Sequence, residues 1–117
     1  MGKISTHVLD TSIGRPGGGI AVALWRLENQ QWSQVASAVT NADGRTDRPL
    51  LEGGALVAGF YELRFAVGAY FKGRGVAAEG IPFLDEVPLR FGISEPPGNY
   101  HVPLLVTPWA YSTYRGS

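Results

Sequence analysis

Apolar and polar side chains alternate along several short segments of the chain. Between residues 61 and 67 (YELRFAV), aromatic and aliphatic side chains occupy every second position, and the charged Glu62 and Arg64 lie between them. Residues 87–93 repeat this pattern, whereas residues 20–27 carry apolar side chains on both faces. A period of two is typical of β-strands that bury one face. We therefore predict that the odd-numbered side chains of residues 61–67 and 87–93 point into a core.

The segments with strand-like patterns are short, and glycine and proline separate them. The chain has 16 Gly and 8 Pro. On this basis we predict about eight strands, which fall at residues 4–9, 20–27, 32–40, 61–67, 70–72, 87–94, 100–107 and 110–115. The one short helix that the sequence allows is expected near residues 76–80. Since no period of roughly 20–50 residues repeats, we expect a single all-β domain over residues 1–117, an antiparallel sandwich of two small sheets.

Composition excludes several classes of protein. The chain has no cysteine, which rules out a disulfide scaffold, a cysteine-ligated metal centre and a cysteine nucleophile. Ten basic and ten acidic residues give a net charge of zero, so no basic surface is expected for nucleic acid. No apolar segment approaches the roughly 20 residues of a membrane span. The first residues lack the apolar core of a signal peptide, so we expect a cytoplasmic protein, with the periplasm and the peroxisome left open.

The two histidines, His7 and His101, are candidates for proton transfer near neutral pH. They lie near opposite ends of the chain, and they would share a site if the first and last strands came together. The alternative is that each is a partly exposed strand histidine with a hydrogen-bonded neighbour. A metal site made of histidine alone needs at least three of them, so we predict neither a metal nor another cofactor.

Arg45 follows the turn sequence Asn-Ala-Asp-Gly at residues 41–44. Asn, Asp and Gly tolerate the backbone of a tight turn, and Arg45 would leave that turn at a fixed angle. The planar guanidinium suits carboxylates and the paired carbonyl groups of a cyclic ureide. The alternative is a turn arginine that only contacts solvent.

The C-terminal residues 108–117 contain an unusual number of aromatic side chains. Trp109, Tyr111, Tyr114 and Arg115 all occur there, although chain ends are usually polar and frayed. One interpretation is that the tyrosine hydroxyls, Arg115 and the terminal carboxylate line a polar pocket. The other is that the segment is an edge strand whose aromatic side chains complete the core.

Three segments resemble the transthyretin-related family: residues 5–11 with the following Gly14 and Pro16, residues 40–45, and residues 100–105 running on to 111–117. The resemblance covers the whole chain in order and spacing. The final Tyr-Arg-Gly-Ser is similar to the enzymatic branch, the 5-hydroxyisourate hydrolases. Transthyretin itself lacks this tail and has lysine in place of His7. The chain departs from the family at Gly17, which is expected in a loop. It also departs in residues 46–48, which would lie at the rim of the site.

This resemblance implies a transthyretin-like sandwich of two four-stranded antiparallel sheets with one short helix. It also implies a homotetramer, a dimer of dimers, with active sites in a central channel. The implied reaction belongs to urate degradation and opens 5-hydroxyisourate at a ring amide bond. Its product is 2-oxo-4-hydroxy-4-carboxy-5-ureidoimidazoline, on the way to allantoin.

The family's catalytic positions correspond here to His7, Arg45, His101 and Ser117, and the adjoining tail residues Tyr114, Arg115 and Gly116 would bind substrate. One histidine would take a proton from water and the other would position substrate or donate a proton; the sequence leaves open which does which. Arg45 would hold the ureide oxygens, and Ser117 would orient a histidine or the water. Tyr114 would pack on the flat ring, and Arg115 would anchor the tail.

Two other functions compete with hydrolysis. The first is a non-catalytic carrier of a flat aromatic ligand on the same sandwich. The second is a purely structural or interaction module. A carrier has no need of His7, Arg45, His101 and the complete tail together, so these residues favour the enzyme.

Overall fold

The computed structural model describes residues 2–76 and 79–116, and in them the chain is built almost entirely of short β-strands. The strands are β1 (Lys3–Ser5), β2 (Val8–Asp10), β3 (Arg15–Pro16), β4 (Ala21–Glu28), β5 (Gln31–Val39), β6 (Leu51–Glu52), β7 (Gly59–Ala66), β8 (Glu86–Ile93), β9 (Asn99–His101), β10 (Leu104–Val106) and β11 (Tyr111–Thr113). The single α-helix of this part of the chain is α1 (Val67–Gly73), and a 3-10 turn occupies Gly53–Ala55.

The longest strands form one four-stranded sheet with the order β5-β4-β7-β8, antiparallel throughout. Leu24, Leu63 and Leu89 lie side by side on three of its strands and are buried. Tyr61 and Phe65 are fully buried on the same face of β7. The inward face predicted from the period-two pattern is therefore correct for β7, because alternation is a local property of an extended chain.

The second layer contains two smaller sheets, with the orders β6-β1-β9 and β11-β10-β2-β3. The backbone N–H of Val102 donates to the carbonyl of Ser5 (2.9 Å), and the N–H of Leu104 donates to the carbonyl of His7 (2.9 Å). These two bonds join the small sheets into one layer. Side chains from this layer, Ile4 among them, meet the four-stranded sheet in a common core. The all-β sandwich with one short helix is thereby confirmed.

The second layer differs from the predicted strands in two respects. Pairing of β1 with β9 and of β10 with β2 is parallel, whereas only antiparallel neighbours were predicted. The segments 4–9 and 100–107 are also each divided into two strands. Pro103 has no N–H to give to a ladder, which accounts for the interruption between β9 and β10.

The position of the helix also corrects the sequence prediction. Residues 70–72, predicted as a strand, lie within α1. Val67 and Phe71 are buried four residues apart, which is the spacing of one helical face. Of the segment 76–80, where the helix was expected, residues 77 and 78 lie outside the described part, and the other three are not helical.

A buried carboxylate fastens α1 to the end of β2. Asp10 is fully buried, and its carboxylate accepts hydrogen bonds from the Tyr70 hydroxyl (2.7 Å), an Arg74 guanidinium N–H (2.8 Å) and the Ser12 backbone N–H (3.0 Å). A buried charge is tolerated only when it is paired and hydrogen-bonded, and here it is both. Burial raises the pKa of Tyr70, and its hydrogen bond to Asp10 raises it further.

Candidate active site

His7 lies in the short break between β1 and β2, beside Arg45. The two residues form an isolated antiparallel bridge. The His7 Nε2 atom is 2.9 Å from the backbone carbonyl oxygen of Asp43. A carbonyl oxygen only accepts hydrogen bonds, so Nε2 carries the hydrogen in this contact. When His7 is neutral, its free lone pair is therefore on Nδ1.

A compact turn at residues 41–45 presents Arg45 next to His7. The Asn41 side-chain oxygen accepts hydrogen bonds from the backbone N–H groups of Asp43 (2.9 Å) and Arg45 (3.2 Å). The Asn41 N–H in turn donates to the Arg45 carbonyl (2.8 Å). The Val8 N–H donates to the Gly44 carbonyl (2.7 Å), which fastens the turn to β2. Gly44 has a φ of 75°, a left-handed conformation that favours glycine.

His101, at the end of β9, is brought to the same region by the parallel ladder. Its Cα is paired with that of Ser5 on β1. The Ser5 hydroxyl oxygen is 2.9 Å from His101 Nδ1. Among the residues described, Nε2 of His101 has no hydrogen-bond partner, which leaves that nitrogen available for chemistry.

The electrostatics of this region favour an uncharged His101. Partial burial lowers the pKa of the His101 imidazole below its ordinary 6.5, and the positive charges of Arg45 and His7 lower it further. A neutral imidazole near pH 7 is able to accept a proton.

The C-terminal tail closes over His101. The Gly116 N–H donates to the His101 carbonyl (2.7 Å), and the two residues form an isolated antiparallel bridge. Arg115 stacks its guanidinium on the Tyr100 ring at 4.1 Å and donates to the Asn99 carbonyl (3.2 Å). These contacts hold the tail beside His101. Ser117, the remaining predicted catalytic residue, lies outside the described residues.

Tyr114 is 57% exposed. It lines a groove of about 510 Å³ between the edge strands β8 and β11, together with Phe91 and Tyr111. Its predicted packing on a substrate ring stays a prediction.

A polar cavity of about 230 Å³ opens next to Ser5 and Arg45. Lys3, Asp47 and Arg48 also line it, so three cationic side chains and one carboxylate border the cavity. Residues 46–48, expected at the rim of the site, belong to its wall. A cavity with this lining attracts polar or anionic groups.

Sequence reasoning assigned no role to Ser5 or Asn41. Ser5 shares the face of the first strands with His7 two positions later, so the period of two contained a signal for it. Asn41 heads an Asn-x-Asp-Gly sequence, and asparagine there commonly bonds the backbone two residues on. Its role in presenting Arg45 was therefore accessible from the sequence.

Two further observations concern the described part of the chain alone. No three or more His, Asp or Glu side chains in residues 2–76 and 79–116 gather in a geometry that would hold a metal ion. No helix in these residues has the length and apolar character needed to cross a membrane.

Comparison with known sequences identifies the family. Residues 4–116 match the profile of the HIUase/Transthyretin family. The chain belongs to this family. A relative within the HIUase/Transthyretin family, the 5-hydroxyisourate hydrolase of Deinococcus radiodurans, is 56% identical over 114 residues, which cover 97% of this chain and 95% of that protein.

Two solved structures have chains similar to this one. An (S)-allantoin synthase superposes with a TM-score of 0.92 at 48% identity; the match covers 99% of this chain but 44% of that one. Sea bream transthyretin in complex with thyroxine superposes with a TM-score of 0.86 at 27% identity, and the match covers 97% of this chain and 94% of that one. Both solved structures therefore share the fold of this chain.

Proposed function

We propose that this chain is a 5-hydroxyisourate hydrolase of urate degradation. The observation that carries the proposal is the convergence of His7, Arg45, His101 and Gly116 on one surface of the second layer. Two imidazoles, a guanidinium and an anchored tail are more than a carrier of an apolar ligand requires. The high identity to a hydrolase over nearly the full length supports the same conclusion.

His101 is the general base in this proposal. Its pKa is lowered by burial and by the neighbouring charges, so it is uncharged at neutral pH. Its Nε2 accepts a proton from water as the water oxygen bonds to the ring carbonyl carbon of the substrate. The carbonyl π electrons move to oxygen, which gives a tetrahedral oxyanion.

Arg45 stabilises that oxyanion. The turn held by Asn41 fixes the backbone of Arg45, so its guanidinium offers donors in a set direction as negative charge develops. When the tetrahedral intermediate collapses, the ring C–N bond breaks. The departing nitrogen takes the proton held on His101 Nε2, which restores the neutral base and leaves an acid and a ureido group on the product.

His7 and the tail position the substrate. His7 is held with its Nε2–H on the Asp43 carbonyl, and its Nδ1 lone pair accepts a hydrogen bond from a ring N–H. Tyr114 packs on the flat ring, and Ser117 contributes its hydroxyl. Arg115 maintains the tail through its contact with Tyr100.

We further propose that the protein is a homotetramer, a dimer of dimers. Strands β8 and β11 end their sheets on the same side of the sandwich, and a groove with apolar lining lies between them. Phe83 and Trp109 are 75% and 65% exposed, and large exposed apolar side chains are common at interfaces between subunits. Native mass spectrometry tests the proposal: a four-chain species is expected, and a monomer at micromolar concentration would contradict it.

A coupled ultraviolet assay tests the hydrolase. Urate oxidase generates 5-hydroxyisourate in the cuvette, and its decay is followed with and without the protein. We expect faster decay with the intact chain, and a rate near the blank for His7→Ala and His101→Ala. Gln31→Ala is the control, because the Gln31 side chain is exposed at the start of β5, and this variant should retain full activity. Decay no faster than the blank from a folded protein would refute the enzyme and favour the carrier, to be tested by binding of flat aromatic ligands.

A further inference from the structure

Ser5 lies where its hydroxyl can set the orientation and the tautomer of the His101 ring. Its hydroxyl lies 2.9 Å from His101 Nδ1, and it is the only side chain in the described residues that bonds this imidazole. The two residues are paired directly across the parallel β1–β9 ladder. Backbone bonds on both sides of His101 maintain that register, since Val102 N–H donates to the Ser5 carbonyl and Gly116 N–H to the His101 carbonyl.

The tautomer of His101 decides which ring nitrogen is basic. A neutral imidazole carries one hydrogen, and the other nitrogen holds the lone pair. For Nε2 to accept a proton, the hydrogen must reside on Nδ1, where it needs an acceptor. The Ser5 hydroxyl oxygen is an acceptor at hydrogen-bond distance, and its own hydrogen is then left to point elsewhere. The polar cavity beside Arg45 lies next to it.

His7 provides an internal contrast. A carbonyl oxygen contacts its Nε2, so the hydrogen of neutral His7 is on Nε2. The partner of His101 is instead a hydroxyl, and it contacts the opposite nitrogen. Since a hydroxyl can donate or accept, the contact allows His101 to carry its hydrogen on Nδ1 and its lone pair on Nε2, the reverse of His7.

We propose that Ser5 is a positioning residue whose Oγ accepts the Nδ1–H of His101, so that the Nε2 lone pair is directed at the attacking water. This inference rests on the proposed hydrolase function. Histidines that act through one ring nitrogen are commonly held by a hydrogen bond at the other nitrogen, which sets the orientation and the tautomer of the ring. Ser5 itself forms no bond to the reacting atoms.

Three variants test the proposal. Ser5→Ala removes the acceptor, Ser5→Thr retains a hydroxyl on a β-branched side chain that suits a strand, and Ser37→Ala is a matched control on exposed β5. We expect kcat of Ser5→Ala to fall about 10- to 100-fold with KM nearly unchanged, since a misdirected base impairs the chemical step. Ser5→Thr should recover most of the loss, and Ser37→Ala should match the unmodified protein. Circular dichroism checks that each variant is folded.

Nitrogen-15 NMR of the histidine side chains provides a readout independent of activity. The unmodified protein should show His101 with its hydrogen on Nδ1 above its pKa, and Ser5→Ala should show a mixture of both tautomers. Hydrogen on Nε2 of His101 in the unmodified protein would overturn the proposal. So would an unchanged kcat in Ser5→Ala, or a loss that Ser5→Thr fails to restore while the tautomer stays the same. An inactive unmodified protein would refute the hydrolase, and the tautomer would still decide the role of Ser5.

Discussion

Gly116 lies so close to the ring of His101 that a β-carbon added at position 116 would stand 2.6 Å from the imidazole Cδ2. Carbon atoms that are not bonded do not approach this closely. The ring is already fixed by Ser5 at Nδ1, so it has little freedom to move aside. The absence of a side chain at residue 116 is therefore a condition for the tail to lie over His101.

We predict that Gly116→Ala lowers kcat/KM about 100-fold, because either the tail lifts or the His101 ring turns away from its bonded position. The change should leave the unfolding temperature nearly unaltered, since the residue lies outside the hydrophobic core. Gly54→Ala is the control, because a β-carbon there meets open space. The coupled ultraviolet assay measures both variants, and full activity in Gly116→Ala would show that the tail is not needed at this distance.

We predict that His101 becomes protonated at a lower pH than an ordinary histidine does. Burial lowers the pKa of His101 below 6.5, with further contributions from the charges of Arg45 and His7. The acid limb of kcat/KM, which reports the free enzyme, is therefore expected to have its midpoint below 6.5. Replacing Arg45 by Gln removes one positive charge and should raise the midpoint of the His101 NMR titration. A midpoint at or above 6.5 in the unmodified protein would contradict this account.

The lowered pKa of His101 also makes the stability of the protein depend on pH. In the unfolded chain His101 regains its ordinary pKa of 6.5, so between the lowered pKa and 6.5 the unfolded state binds more protons. The free energy of unfolding should therefore rise with pH through that window and fall as pH decreases from 6.5 towards the lowered pKa. Urea titrations of the unmodified protein and His101→Gln compare the two slopes. Equal slopes across the window would exclude a contribution from His101.

Gly44 positions Arg45 for two reasons, its backbone conformation and the lack of space for a side chain. Its φ is 75°, and a β-carbon would collide with the Val8 carbonyl oxygen. We predict that Gly44→Ala breaks the bond between Val8 N–H and the Gly44 carbonyl, displaces Arg45 and lowers kcat/KM at least about ten-fold. Gly14→Ala is a matched control, because Gly14 also has a positive φ (66°) but faces open space. It should lose about 1 kcal/mol of stability and keep its activity. Equal activity losses in the two variants would contradict a positioning role for Gly44.

The inward faces of β7 and β8 were predictable, because their buried apolar side chains recur at every second position, although Glu62 on the other face of β7 is buried as well. The parallel pairing of β1 with β9 was not, since it joins residues about a hundred positions apart and no local pattern encodes such a partner. The helix was misplaced for a related reason. Tyr70 and its neighbours have the aromatic character of a strand, but the bond from Tyr70 to buried Asp10 belongs to tertiary structure, which overrides local preference.

The candidate residues of the site could be proposed from the sequence, but the geometry that brings them together could not. His7 and His101 were expected to share a site only if the first and last strands met, and the parallel ladder provides that meeting. The bond between Ser5 and His101 depends on the register of the ladder, and a shift of one residue would turn Ser5 to the core. Sequence alone supplies the face of Ser5 but not its partner.

The contact between Tyr70 and Asp10 should contribute measurably to stability. The Tyr70 hydroxyl donates to a fully buried carboxylate at 2.7 Å, and hydrogen bonds to charged groups are worth about 1.5–3 kcal/mol. Tyr70→Phe should lower the free energy of unfolding by about that amount. Asp10 keeps its partners Arg74 and Ser12, so the variant should still fold.

Gln31→Ala is the control for that measurement, because Gln31 is exposed at the start of β5 and its side chain has no hydrogen bond among the described residues. Urea unfolding at a fixed protein concentration should leave this variant within about 0.5 kcal/mol of the unmodified protein. Kinetic constants of Tyr70→Phe should stay close to the unmodified values, since Asp10 fastens the helix at the end of β2 rather than the histidines. A stability loss no larger than that of Gln31→Ala would mean that Arg74 and Ser12 alone satisfy the buried carboxylate.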